Sequence, residues 1–293
     1  MKDQLGDRMK AFYEDRTRIK LPRRTYTIIR IDGKAFHTYT KGLKRPFDTG
    51  LIDDMNWTTE YLCKNIQGVK FGYVQSDEIS LVLTDFDTLQ TDLWFDGNLQ
   101  KMASIAASMA TARFNQLRMM RACHEGSDTG LSYLDMDDLD KFKLAMFDAR
   151  VFQITSPMEV ENYFIWRQQD ATRNSISSVA QSEFSPRELH GKKTNEMQEM
   201  LFQKGINWND FSPREKRGSV IRKVEKTYIR KDSGALAEVS PKTISIEIKK
   251  EDTFTRSKWE ADQETPVFTQ DRNYMRFMLP QLETTRLEVP CEK

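Results

Sequence analysis

The chain has 293 residues, 38% hydrophobic and 30% charged, which is long enough for a sizeable core and describes a soluble globular protein with a very polar surface. Its 45 Lys and Arg almost cancel its 44 Asp and Glu, leaving a formal net charge of +1, so a nucleic-acid partner would have to be met by local basic patches. No apolar run approaches the ~20 residues of a bilayer span, the first residues lack a signal core, and Cys63, Cys123 and Cys291 are odd in number and far apart, so a reduced cytoplasmic setting with no membrane attachment and no structural zinc is expected.

Residues 3–19 carry Leu5, Met9, Phe12, Tyr13 and Ile19 among charges, the pattern of an amphipathic helix packed on the first strand and ended by Pro22. That strand, residues 26–31, delivers Asp32-Gly33-Lys34-Ala35-Phe36-His37 at its C-terminal end. Glycine after the acid permits a sharp turn, and free N–H groups from Gly33 to His37 can hold phosphate oxygens. Residues 41–48 form a compact basic loop in which Lys44 or Arg45 suits a triphosphate clamp, although a merely solvated loop is the commoner origin of such a cluster. Asp48 or Thr49 caps the next helix, whose Leu51, Ile52, Met55, Tyr61 and Leu62 suit a buried face, and Gly68 closes it.

Residues 69–75 and 79–84 are rich in β-branched and aromatic side chains and are separated only by Ser76, Asp77 and Glu78, which predicts a tight antiparallel hairpin with two acids at its tip. If this hairpin neighbours the first strand, three carboxylates converge. Such a group needs a cation to stay ionised, hard oxygen ligands select Mg²⁺ or Mn²⁺, and a pair of these ions is the usual device for nucleotidyl transfer. Ordinary turn chemistry explains either stretch alone; their pairing favours the metal reading.

A polar connection over residues 85–97 leads to a second long helix, 98–120, with Met102, Ile105, Met109, Ala112 and Leu117 read as its core face. Lys101 and Ser104 on its first turns fit equally well as groups reaching the hairpin tip or as plain surface. Residues 124–140 read as an acidic loop or insertion, and 147–154 as a fourth strand. The resulting βαββαβ order is the ferredoxin-like, α+β arrangement found in the palm of many polymerases and nucleotide cyclases, assigned here to a catalytic domain over residues 1–156.

Residues 157–293 read as a C-terminal α+β domain with an extended tail. Helices are expected through Ala180, from Ser185-Pro186, and around residues 196–202. A basic stretch follows, from Lys216 to Lys231, whose alternation suggests a hairpin facing an RNA backbone, with an ordinary solvated strand as a close rival. Residues 240–248 alternate as another strand, and 251–293 show weak periodicity.

The blocks Arg30-Ile31-Asp32-Gly33-Lys34-Ala35-Phe36-His37, Arg45-Pro46-Phe47-Asp48, Tyr73-Val74-Gln75-Ser76-Asp77-Glu78-Ile79-Ser80, Phe147-Asp148-Ala149-Arg150 and Trp166-Arg167-Gln168-Gln169-Asp170-Ala171 resemble, in order, those of the tRNA(His) guanylyltransferases and the guanylyltransferase-like 3′-to-5′ RNA polymerases. The resemblance implies a palm that uses two Mg²⁺ ions to add nucleotides, GTP among them, to a tRNA 5′ end activated by ATP or carrying a triphosphate. It implies catalytic roles for Asp32, Asp77 and Glu78, and metal binding by Asp32, Asp77 and the Gly33 main chain. It gives a triphosphate site at Gly33, Lys34, Ala35, Phe36, His37, Lys44 and Ser76, to which the reading of the helix adds Lys101 if that residue reaches the tip. Arg167, Asp170, Arg173 and Asn174 fall to the RNA end or a second nucleotide. A homotetramer is the assembly it suggests.

Eukaryotic members continue with His-Ile-Asn-Asn-Leu-Tyr-Asn where this chain has Thr172-Arg173-Asn174-Ser175-Ile176-Ser177-Ser178, so the likeness points to the guanylyltransferase-like proteins and tRNA 5′-end repair. No phosphate loop, dinucleotide fingerprint or zinc helix is present, and three histidines without a nucleophile motif argue against a hydrolase. Two rivals stand beside the polymerase. A non-catalytic RNA-recognition-motif-like module would be indifferent to Mg²⁺, and a palm-fold cyclase would form a cyclic product from ATP or GTP alone.

Overall fold

The computed structural model describes residues 3–125, 143–230, 236–239 and 253–280. The expected insertion beyond residue 125, the expected strand 240–248, Cys291 and the end of the tail lie outside these residues.

The N-terminal segment is helical, as α1 (Gln4–Met9) followed by a π turn and a 3₁₀ turn to Thr17, yet it does not pack on the first strand. Leu5, Met9, Phe12 and Tyr13 are all exposed. The chain then runs β1 (Tyr26–Gly33), α2 (Phe36–Tyr39), α3 (Thr49–Asn65), β2 (Val69–Gln75), β3 (Glu78–Leu83), α4 (Leu99–Glu125) and β4 (Phe147–Ile154). β1 pairs antiparallel with both β3 and β4, and β3 with β2, which gives the strand order β4-β1-β3-β2 of a ferredoxin-like palm.

Strand alternation sends Ile29, Ile31, Ile79, Leu81 and Leu83 to one face, where Met55 and Leu62 of α3 and Met102, Ala106, Ala110 and Phe114 of α4 cover them. Of the expected face of α4, Met102 and Leu117 are buried and Met109 packs against the core, whereas Ile105 and Ala112 are exposed and Ala106, Ala110 and Phe114 take their place. The opposite face holds Tyr26, Ile28, Phe71, Tyr73 and Val82, packed against Val160, Tyr163 and Phe164 of α5 (Pro157–Glu183). An antiparallel sheet with both faces covered explains why Thr27 and Ser80 are buried along with the aliphatic residues.

Beyond α5 come α6 (Pro186–Leu189), α7 (Thr194–Gln203) and α8 (Pro213–Arg217), the first opened by the expected Ser185/Glu188 capping box. β5 (Ser219–Arg230) then adds to β2 and carries the sheet across the expected domain boundary. It also pairs with β6 (Leu236–Val239) and β7 (Thr253–Asp262). Residues 253–262, expected within an extended tail, are thus a strand. The following segment places Phe268, Met275 of α9 (Arg272–Arg276) and Leu279 in the core beneath α5. The basic face of β5 is partly neutralised within the arm: Arg222 lies 3.1 Å from Asp262, and Lys226 lies 2.7 Å from Glu260.

Candidate active site

β1 and the β2–β3 hairpin end at the same edge of the sheet. The turn consists of two residues, Ser76 and Asp77, with Ser76 at φ 49°, and Gln75 pairs directly with Glu78. The Gly33 amide donates to the Asp77 carbonyl at 3.2 Å, which ties the Asp32-Gly33 step to the tip. Gly33 is needed for packing as much as for turning, because a Cβ there would stand 2.3 Å from the Phe36 ring.

Asp77 receives a hydrogen bond from the Ser76 hydroxyl at 3.0 Å, and among the described residues no base forms an ion pair with it. Burial pushes its carboxyl up to about 6, and the negative charges of Asp32 and Glu78 add to the push. Asp32 has one loose cationic neighbour, Arg30 at 3.6 Å, and its side chain is 31% exposed. Across the strand pairs it stands opposite Glu78 on one side and Asp148 on the other.

Glu78 is placed differently from Asp77. It is the first residue of β3, 4% exposed, and faces α5. Arg167 grips it with two bonds of 2.7 and 2.8 Å, and Arg30 lies 2.7 Å from the same carboxylate. Two guanidinium groups thus balance the Glu78 charge, whereas among the described residues Asp77 has no such partner. The network continues outward: Arg167 donates to Asp170 at 2.9 Å and Arg173 donates to Asp170 at 2.7 Å. Hydrogen bonds from Arg173 and Arg167 outweigh burial and hold the Asp170 carboxyl below its ordinary range. Asn174 is exposed beside them. Ser80 and Tyr163 are joined at 2.8 Å on the same face, and burial pushes the Tyr163 phenol up to about 12.

The triphosphate candidates divide into two groups. The amides of Gly33 and Lys34 are already used, the latter donating to the Met146 carbonyl at 2.8 Å. The expected run of free N–H groups therefore reduces to Ala35, Phe36 and His37 at the start of α2, where Phe36 itself is buried in the core and His37 is exposed. Lys44 is exposed on its loop, and Ser76 on the turn. Lys101 does not join them. It lies at the start of α4, where the Leu99 amide bonds Ile19 and the Leu21 amide bonds Gly97, beside the beginning of β1. Its amine sits over the Phe95 ring at 5.9 Å. The length of β3, about 17 Å at ~3.3 Å per residue, separates that end of the sheet from the tip.

Two neighbours of the site were not assigned roles from sequence: Arg30, the charge beside Asp32, and Asp148, its cross-strand partner. For Arg30 a signal was available, since a cation in the middle of an apolar strand requires a buried partner.

Among the described residues no group of three or more His, Cys, Asp or Glu could hold a metal ion by itself. Asp32 and Asp77 nevertheless fit hard divalent ions. The negative charge of Asp32 adds to the raised proton affinity of Asp77, and Mg²⁺ commonly takes one or two carboxylates and fills its shell with phosphate and water. No helix among the described residues is long and apolar enough to cross a membrane.

A family model described as Thg1: tRNAHis guanylyltransferase matches residues 6–155. A bacterial tRNA(His) guanylyltransferase (Thg1)-like protein solved in complex with ATP superposes with a TM-score of 0.72 at 42% identity, covering 94% of this chain and 99% of the other. A corresponding structure in complex with GTP gives a TM-score of 0.69 at 40% identity, covering 95% and 100%. The tRNA(His) guanylyltransferase of Eremothecium gossypii is 26% identical over 213 residues, 68% of this chain and 83% of its own length.

Proposed function

The chain belongs to the tRNA(His) guanylyltransferase family, and we propose that it adds nucleotides in the 3′-to-5′ direction to the 5′ end of tRNA, in end repair rather than as an enzyme dedicated to histidine tRNA. The observation that carries this reading is the edge shared by Asp32 and Asp77, where among the described residues Asp77 has no cationic partner and Asp32 only the loose one of Arg30, while the adjacent Glu78 is held by two guanidinium groups. Similarity to a guanylyltransferase-like protein over nearly the whole chain supports the repair assignment.

In this mechanism Asp32, Asp77 and the Gly33 main chain would hold two Mg²⁺ ions. When bound, such ions lower the pKa of an attacking hydroxyl and stabilise the charge that develops on phosphorus. The 3′-hydroxyl of the incoming nucleotide attacks the phosphorus at the RNA 5′ end; a new P–O bond forms, and AMP leaves an adenylated end or pyrophosphate leaves a triphosphate. Lys44, the Ser76 hydroxyl and the amides of Ala35, Phe36 and His37 hold the triphosphate. Arg173 and Asn174, exposed on α5, orient the RNA end or a second nucleotide. Arg167 is committed to Glu78 and Asp170, so it supports this surface from beneath.

The assignment extends to a cytoplasmic homotetramer, for which the exposed Leu5, Met9, Phe12 and Tyr13 offer an apolar contact face. Light scattering of the full chain reads the subunit number directly.

The function is tested by offering 5′-truncated tRNAs with all four nucleoside triphosphates and Mg²⁺, then sequencing the extended ends. Nucleotides added at the 5′ end are the expected result. A cyclic product from ATP or GTP without RNA, or RNA binding with no extension, overturns it.

A further inference from the structure

The loop that carries Lys44 is backed by a part of the chain far away in sequence. Lys44 and Arg45 are exposed, whereas Phe47 and Asp48 are half-buried, so the loop presents its cations outward from a pinned floor. The Lys44 amide donates to Asp48 Oδ2 at 3.3 Å, and Asp48 Oδ1 accepts from the Leu51 amide at 2.7 Å, which fastens the loop to the first turn of α3. Phe47 belongs to neither core of the sheet. It meets Phe211 edge to face at 5.4 Å, inside the small cluster built on Val179, Ala180 and Leu201. A second tie lies one turn further along α3, where Asp53 Oδ1 accepts from Arg214 at 2.8 Å. The segment that supplies these ties is fastened to α5 nearby, where the Trp208 indole N–H donates to Ser175 Oγ at 3.0 Å.

Ordering a flexible cationic loop costs conformational entropy at the moment of binding, and a loop held in advance avoids much of that cost. The Asp53–Arg214 pair is partly exposed and fills no core, with the two side chains 34% and 24% exposed, so it fixes the orientation of the helical module rather than folding it.

We infer that Phe211 and Arg214 are positioning residues for the nucleotide triphosphate, acting through Phe47 and Asp53 to hold the Lys44 loop in its binding shape. The inference rests on the reading of Lys44 as a triphosphate contact. The same contacts join the loop to the helix bearing Arg173 and Asn174, so the module also sets the spacing between the two substrate sites.

The test uses the full chain with a 5′-truncated tRNA, measuring nucleotide KM and kcat, RNA affinity and thermal stability. Phe211→Ala is expected to raise the nucleotide KM about 5- to 10-fold with kcat within about 2-fold and RNA affinity unchanged, Phe211→Leu to restore most of it, and Arg214→Met to raise it roughly 2- to 3-fold. Combining Phe211→Ala with Lys44→Ala is expected to give less than the product of the single effects, because both act on one contact. A folded Phe211→Ala or Arg214→Met protein with unchanged KM overturns the inference, as does a loss confined to kcat. Should Phe211→Ala fail to fold, the surface variant Arg214→Met decides alone. Lys44→Ala separates the two levels. An unchanged KM there removes the loop's assigned role and this inference together, whereas a raised KM beside an unaffected Arg214→Met removes the inference only.

Discussion

Asp77 and Glu78 are neighbours in sequence and opposites in structure. Asp77 sits in the two-residue turn with no ion-pair partner among the described residues, and burial among other negative groups pushes its carboxyl up to about 6. Glu78, one position on, is the first residue of a strand and is held by Arg30 and Arg167. The difference follows from strand alternation, which turns Glu78 inward beneath α5. It also separates two uses of a carboxylate. One that the fold neutralises is framework, and one that the fold leaves unbalanced is available to a cation.

The sharpest way to break this contrast is to remove each charge in turn. Asp77→Asn is expected to reduce nucleotide addition by about 10³-fold or more in a protein that still folds, because it takes a ligand from the ion pair that drives transfer. A variant that keeps wild-type turnover at saturating Mg²⁺ contradicts the assignment. Glu78→Ala is expected to cost stability first, on the order of 3–5 kcal/mol in denaturant unfolding, since it leaves two guanidinium groups without their shared carboxylate. Wild-type stability with lost metal dependence would return Glu78 to the acidic cluster.

The pH dependence of stability sharpens the same point. The folded-state value of Asp77, about 6, lies above its ordinary 3.8, so its stabilising contribution is complete below pH 4 and is lost as the pH rises through 6. In the metal-free protein Asp77→Asn should therefore be stabilising at pH 8 by roughly 2 kcal/mol and close to neutral at pH 4. Mg²⁺ should narrow the gap at pH 8 by stabilising the wild type alone. Chemical denaturation at the two pH values reads this, and equal effects at both would remove the electrostatic argument. The smallest effect is expected at the far end of the sheet, where Lys101→Ala should change the nucleotide KM less than about 2-fold. A change as large as that of Lys44→Ala would place Lys101 at the tip after all.

The palm was legible because its signals are local. An acid followed by glycine at the end of an apolar strand marked Asp32, and two β-rich runs around a short polar turn marked Asp77. What could not be read depended on register and topology. Treating Ser76, Asp77 and Glu78 together as the connection put Glu78 at the tip, whereas a two-residue turn places it in the strand. Lys101 looked close because α4 follows the hairpin in sequence, but β3 first carries the chain to the opposite end of the sheet. On α4, alanines at positions 106 and 110 mark the buried stripe as much as Met102 and Phe114 do, and alanine carries little pattern. Residues 253–262 carried only a weak strand signal, because the positions between Arg256, Lys258, Glu260 and Asp262 are mostly small or polar and Trp259 is the one large apolar side chain among them.

In the proposed mechanism Asp32 and Asp77, rather than Glu78, would hold the divalent ions. Counting bound Mn²⁺ by electron paramagnetic resonance in the presence of GTP, for the wild type, Asp77→Asn and Glu78→Gln, tests it most directly. Two ions are expected for the wild type, fewer or much weaker binding for Asp77→Asn, and near wild-type occupancy for Glu78→Gln. Full occupancy in Asp77→Asn would contradict it.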